Sequence, residues 1–127
     1  MDRKFKYKII LALRKLTFSY PERNKAKKRS KIGPELWKCE TCSRQIYTGK
    51  RDIDFIKVKY PKAESGKMHM DHINPAVALE GESDDWNVTI NRMFPMEEGW
   101  QNICAECHLV KTAYENGERA RIKKERK

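Results

Sequence analysis

The sequence is short of apolar residues, of histidine and of long hydrophobic runs. Hydrophobic types make up 39% of its 127 residues and charged types 36%, so a single domain of this length has a thin core and gains from a further staple. No apolar run reaches the roughly 18 residues that a membrane span needs, and the charged start has no succession of basic, apolar and small residues that would mark a secretory signal. No internal repeat or low-complexity tract is visible. These absences indicate a soluble protein of a reducing compartment, cytoplasmic and not membrane-bound. Four cysteines in such a compartment serve metals more often than disulfides.

Charge of one sign is abundant instead. The formal net charge is +10, and it is unevenly spread. Residues 1–38 carry 13 Lys/Arg against three acidic residues, and residues 117–127 carry six against two, while residues 39–116 hold nine against 13. Two basic arms flank a mildly acidic centre. Arms of this kind suit a polyanion and give salt-sensitive attachment to phosphates, whereas the centre suits cations. Solubilising tails are the plainer explanation of the same runs.

Along the chain, Phe5, Ile9, Leu13 and Leu16, with Ile10 and Leu11 beside them, fall at helical spacing and predict a basic amphipathic helix ending near Pro21. The run "NKAKKRSK" reads as a linker or short helix. Alternation in "IDFIKVKY", residues 53–60, predicts a strand, and "ESGK" predicts a turn returning the chain through "MHMDHI" as the second arm of a hairpin. A short helix is expected over "DDWNVTINRMF", capped by Ser83 or Asp84, with Trp86, Ile90 and Met93 inward. A last helix begins near His108 and stops at Gly117.

The cysteines form two knuckles, Cys39-x-x-Cys42 and Cys104-x-x-Cys107. Four thiolates suit one tetrahedral zinc ion, and a closed four-cysteine site leaves no coordination position for chemistry. Such a zinc is structural, a clip between distant parts of the domain. Two disulfides, or free buried thiols, are the alternative.

Chemistry must then come from elsewhere. "MDHINP" and "WQNICAECHLVKT" resemble the HNH endonucleases, the ββα-metal nucleases, in the small zinc-stapled form common in bacteriophages. The three letters correspond to His72, Asn102 and His108, and the resemblance covers about residues 37–113. The basic start also resembles the leader of such phage proteins. The resemblance implies an α+β protein with a ββα-metal nuclease fold, a four-cysteine zinc site and a basic N-terminal helix. It divides the chain into a DNA-contacting arm (1–36), a nuclease domain (37–117) and a basic tail (118–127). It further implies a bacterial host's cytoplasm as the location if the protein is phage-encoded.

Phosphodiester hydrolysis needs a water, an acceptor for its proton, and something to neutralise charge on the phosphate and leaving oxygen. His72 suits the acceptor role, because its ordinary pKa lies near neutrality. Asp71 and His108 suit one divalent cation, Mg²⁺ or Mn²⁺ among others. By the resemblance Asn102 holds the loop carrying His72 through hydrogen bonds. Adjacent residues on an ideal strand point to opposite faces, so a ligand and a base at consecutive positions imply that the strand ends there. Asp71 as a plain cap or lysine partner, and either histidine as an ordinary surface or buried residue, are the duller explanations.

His69 shares a strand face with Asp71 and is either a further ligand or an exposed residue. Lys111 either reaches a phosphate or lies on a solvated helix face. Trp37 and Trp100 are expected to pack near the zinc, and nothing decides the role of Glu97 and Glu98. Two functions follow: a metal-dependent endonuclease acting on double-stranded DNA, with phage terminase as a possible partner, or a non-catalytic zinc-stapled DNA-binding accessory of a phage packaging or replication machine.

Overall fold

The computed structural model describes residues 1–81 and 84–126. Among these, five α-helices and two sheets make a mixed α+β protein. Helix α1 (Arg3–Thr17) is started by Asp2, whose carboxylate accepts from the Lys4 amide at 3.1 Å. Its inward stripe is Ile9, Ile10, Leu13 and Thr17, while Phe5 and Leu16 remain exposed. Helix α2 (Pro21–Arg29) has proline in its first turn and Lys27, Lys28 and Arg29 in its last, both favourable placements. The expected linker or short helix is therefore a helix.

Strands β1 (Lys31–Gly33), β2 (Leu36–Lys38) and β3 (Gln45–Tyr47) form an antiparallel meander, and β4 (Glu64–Ser65) joins β3 in parallel. Between β3 and β4 runs α3 (Ile53–Lys57). The strand expected over residues 53–60 is thus corrected to a helical turn. Asp52 caps it, accepting from the Asp54 amide at 3.0 Å. Ile53, Ile56 and Tyr60, at helical rather than alternating spacing, pack against the buried Leu36, Tyr47 and Ala63, leaving Phe55 and Val58 outside. The "ESGK" segment is consequently no hairpin turn: its first two residues are β4, and the Gly66 amide donates to the Tyr47 carbonyl.

Strand β5 (Met68–His72) has a different partner, β6 (Trp100–Cys104), in antiparallel register from Met68 opposite Cys104 to His72 opposite Trp100. Helix α4 (Trp86–Met93) and a 3₁₀ turn (Glu97–Gly99) lie between the two strands. Asp85 caps α4, accepting from the Asn87 amide at 2.9 Å, instead of Asp84; Ser83 lies outside the described residues. Met93 is buried and Trp86 half-buried, but Ile90 is exposed and Thr89 takes the inward position.

Helix α5 (Ala105–Glu125) follows β6 directly and passes through Gly117 without stopping. A glycine in mid-helix costs about 0.5–1 kcal/mol relative to alanine. Ion pairs of Arg121 with Glu118 and Glu125, and hydrogen bonds from Arg119 to the Val77 carbonyl and from Arg126 to the Glu80 carbonyl, offset that cost. The expected tail from residue 118 is helical as far as Glu125. The boundary expected after residue 36 falls inside β2, so the end of the basic arm belongs to the four-stranded sheet. Among the described residues no helix is long and apolar enough to cross a membrane.

Candidate functional site

The four cysteines converge. Cys39 follows β2, Cys104 ends β6 and Cys107 sits in the first turn of α5, and with Cys42 their sulfurs all lie within 4.8 Å of one another. All four are free thiols, with Cys42 and Cys104 Sγ 3.7 Å apart, far beyond a disulfide bond. The two-disulfide alternative is therefore not what this fold contains. Burial pushes the Cys39 thiol up, but the amides of Cys42, Cys104 and Thr41 outweigh it and bring the group down to about 7. Burial and its crowded neighbours push Cys107 up to about 12. One thiolate is stabilised by the backbone, and four need a cation among them. The cluster is positioned to bind a metal ion, and it stands between the two sheets, packed with Ile46, Ile103 and Met68.

A polar clip, buried at Asn102 and Ser30 and partly exposed at Arg29 and Glu40, braces this cluster from behind. Arg29, at the end of α2, donates from Nε to Glu40 Oε2 (2.9 Å) and from Nη2 to both Glu40 Oε1 (3.1 Å) and the Trp100 carbonyl (2.9 Å). Glu40, inside the first knuckle, accepts from the Asn102 amide at 2.8 Å and donates its own amide to the Asn102 carbonyl at 3.0 Å. The Asn102 side chain is 1% exposed, and its Nδ2 donates to Ser30 Oγ at 2.8 Å. Asn102 was expected to hold the loop carrying His72; its side-chain amide instead donates to Ser30 and so anchors α2 to β6. Arg29→Ala would leave the Glu40 carboxylate half-buried and short of its partner. It should lower the stability of the metal-loaded protein by about 1–3 kcal/mol in urea unfolding; a change below about 0.5 kcal/mol would argue against the clip.

At the other end of the β5/β6 ribbon lie the histidines. His72 closes β5, its ring 4.1 Å from that of Trp100 across the ladder. Its Nε2 is 2.8 Å from the Met93 carbonyl. A carbonyl only accepts, so Nε2 carries the proton and Nδ1 keeps its lone pair. Burial lowers the His72 pKa, against the opposing pull of Met93 and Asp71, so the ring is neutral near pH 7. His69, two residues earlier, stacks on His108 with centroids 4.5 Å apart and planes 10° from parallel. Burial, then the neighbouring His108, lowers the His69 pKa as well.

Asp71 Oδ2 accepts from Lys111 Nζ at 2.9 Å and from Gln101 Nε2 at 3.3 Å. Lys111 also pairs with Glu115, one turn further along α5. Burial disfavours the Lys111 ammonium, yet its hydrogen bonds to Glu115 and Asp71 outweigh that and raise its pKa, so it stays charged. Lys111 therefore lies on a half-buried carboxylate pair and not on a solvated helix face. Among the described residues, the four cysteines alone form a group of three or more potential ligands within 4.8 Å. His69 lies against His108 and is near enough to Asp71 to feel its charge, but these residues do not close into a second such group.

The N-terminal arm reaches the same end. Tyr20 Oη donates to the Phe94 carbonyl at 3.1 Å, its ring meets those of Phe94 and Trp100, and Arg14 is close enough to bear on His72. Trp100 packs against His72 and Tyr20 while Trp37 lies half-buried under Lys27 and Lys31, so neither indole is part of the cysteine cluster's core. Glu97 pairs with Arg29 at 3.8 Å, and its amide donates to Glu22. Arg29, Glu40, Ser30 and Glu115 escaped the sequence reading. Only Glu115 left a signal there, its four-residue spacing from Lys111. Comparison with protein-family models, with curated proteins and with solved structures finds no match to this chain.

Proposed function

We propose that the protein is an HNH-type endonuclease that hydrolyses phosphodiester bonds in duplex DNA, with zinc in the four-cysteine cluster and a second divalent cation at Asp71. The observation that carries this is His72. It is a neutral imidazole at a strand end beside an acidic residue, with one nitrogen tied to a main-chain carbonyl and the other left as an acceptor. A DNA-binding module has no use for a base oriented in this way. The order β5, β6, α5, with Asp71-His72 on the first strand, Asn102 on the second and His108 on the helix, also agrees with a ββα-metal arrangement.

The donor chemistry fits a divalent cation. Asp71 offers a carboxylate that already holds the Lys111 ammonium, and His108 offers an imidazole stacked on His69, two residues before Asp71 on β5. Asp71 and His108 would hold the ion, which when bound supplies Lewis-acid stabilisation of charge on the phosphate and the leaving oxygen. His72 Nδ1 takes the proton of the attacking water as the water oxygen bonds to phosphorus. The bond from phosphorus to the 3′ oxygen breaks, leaving a 5′-phosphate, and the 3′ oxygen takes a proton from solvent. Met93 holds the ring in the tautomer this requires. Lys and Arg side chains on α1 and α2, with Lys27 and Lys31 around Trp37, supply contacts to the phosphate backbone.

Zinc-loaded protein should nick supercoiled plasmid only when Mg²⁺ or Mn²⁺ is added, and Asp71→Asn should lose that dependence together with the cleavage. Cleavage by Asp71→Asn at the parent rate would remove the cation from Asp71.

A further inference from the structure

We propose that Lys111 is a built-in counter-ion that competes with the divalent cation for Asp71, with Glu115 as the group to which its ammonium withdraws when a cation enters. This deepens the nuclease assignment and rests on it. The Lys111 ammonium lies 2.9 Å from Asp71 Oδ2 and is shared with Glu115. All three side chains are largely withdrawn from solvent, at 23%, 18% and 15% exposure for Lys111, Asp71 and Glu115. Charges so placed are weakly screened, and an ammonium beside Asp71 repels any divalent ion approaching that carboxylate.

Lysine and glutamate sit four residues apart on α5, so transfer of the ammonium from Asp71 to Glu115 takes only rotations within the Lys111 stem. Gln101 donates to the same Asp71 oxygen at 3.3 Å and is neutral, so it holds the carboxylate without competing for the cation's charge. Without a cation, Lys111 ties β5 to α5 and keeps a bare carboxylate from facing DNA phosphates. With one, Glu115 retains the lysine close to the site.

The test is Mn²⁺ binding to the zinc-loaded full chain, followed by the paramagnetic resonance signal of free Mn²⁺. Lys111→Met should bind Mn²⁺ about tenfold or more tightly than the parent, and adding Asp71→Asn should remove the gain. Glu115→Gln acts in the opposite direction: its lysine has only Asp71 as partner, so Mn²⁺ affinity should fall by about threefold or more. Far-UV circular dichroism establishes that each variant is folded. Equal or weaker Mn²⁺ affinity in folded Lys111→Met overturns the counter-ion role. If the parent and Lys111→Met bind equally and Asp71→Asn does not bind, the cation site of the nuclease stands and only this role falls. Absence of binding to both the parent and Lys111→Met overturns the cation site and the counter-ion role together.

Discussion

Replacing His72 with alanine is expected to reduce cleavage by about 10²- to 10⁴-fold, the usual contribution of a positioned general base. Zinc content and affinity for duplex DNA should stay near those of the parent. The ring donates one hydrogen bond, to the Met93 carbonyl, and covers Trp100 from one side, so its loss should cost stability on the order of 1–3 kcal/mol. That leaves the cysteine cluster, at the other end of the ribbon, untouched. Gel-shift titration and thermal melting on the sample used for the cleavage assay separate the effects. A variant that melts like the parent, binds like the parent and also cuts like the parent would transfer the base to another residue.

Cys39→Ser should have the larger structural effect. Cys39 is fully buried, and its sulfur accepts amides from Cys42 at 3.5 Å and Cys104 at 3.3 Å. It thereby joins the knuckle after β2 to the β6–α5 junction. A serine oxygen is a poor zinc ligand, and the remaining thiols would be left crowded without a fourth partner. Binding of a structural zinc contributes on the order of 10 kcal/mol to folding in small zinc domains, more than most domains of this size hold in reserve. The variant should therefore lose its zinc and its cooperative melting transition, and a strong chelator should do the same to the parent. Zinc released per chain, read with a metallochromic dye, should fall from one equivalent to none. A Cys39→Ser protein that keeps one zinc and melts cooperatively would contradict the structural role.

The cysteine cluster was the most legible part of this molecule, because two Cys-x-x-Cys knuckles constrain backbone and chemistry together whatever lies between them. Helices α1 and α4 were also legible from apolar spacing, although the true inward stripe of α1 runs through Ile10 and Thr17 and leaves Phe5 and Leu16 outside. Strand β5 was expected, but its partner was not. Residues 53–60 carry apolar side chains that satisfy both a period of two and the spacing 53, 56, 60, and only the packing against Leu36 and Tyr47 decides between them. Once that segment is a helical turn, β5 pairs with β6, about 30 residues away, a non-local contact that no turn signal announces.

In the site, Asp71, His72 and His108 were visible as residue types, while the partners that set their state were not. Main-chain acceptors such as the Met93 carbonyl have no side-chain signature. The clip of Arg29, Glu40, Asn102 and Ser30 joins positions up to 72 residues apart. Arg29, read as one more charge in a basic run, spends its guanidinium on Glu40 and a carbonyl, so the arm's charge is partly structural.

The measurement that most directly tests the central claim is a plasmid time course with zinc-loaded parent and His72→Ala protein side by side, at low salt and with Mn²⁺. Conversion of supercoiled to open-circular DNA by the parent, with little or none by the variant at matched DNA occupancy, is the result predicted here. Supercoiled DNA left intact by a parent that binds it and holds Mn²⁺ at Asp71, or cut equally by both proteins, would contradict the assignment of His72 as the base of a nuclease.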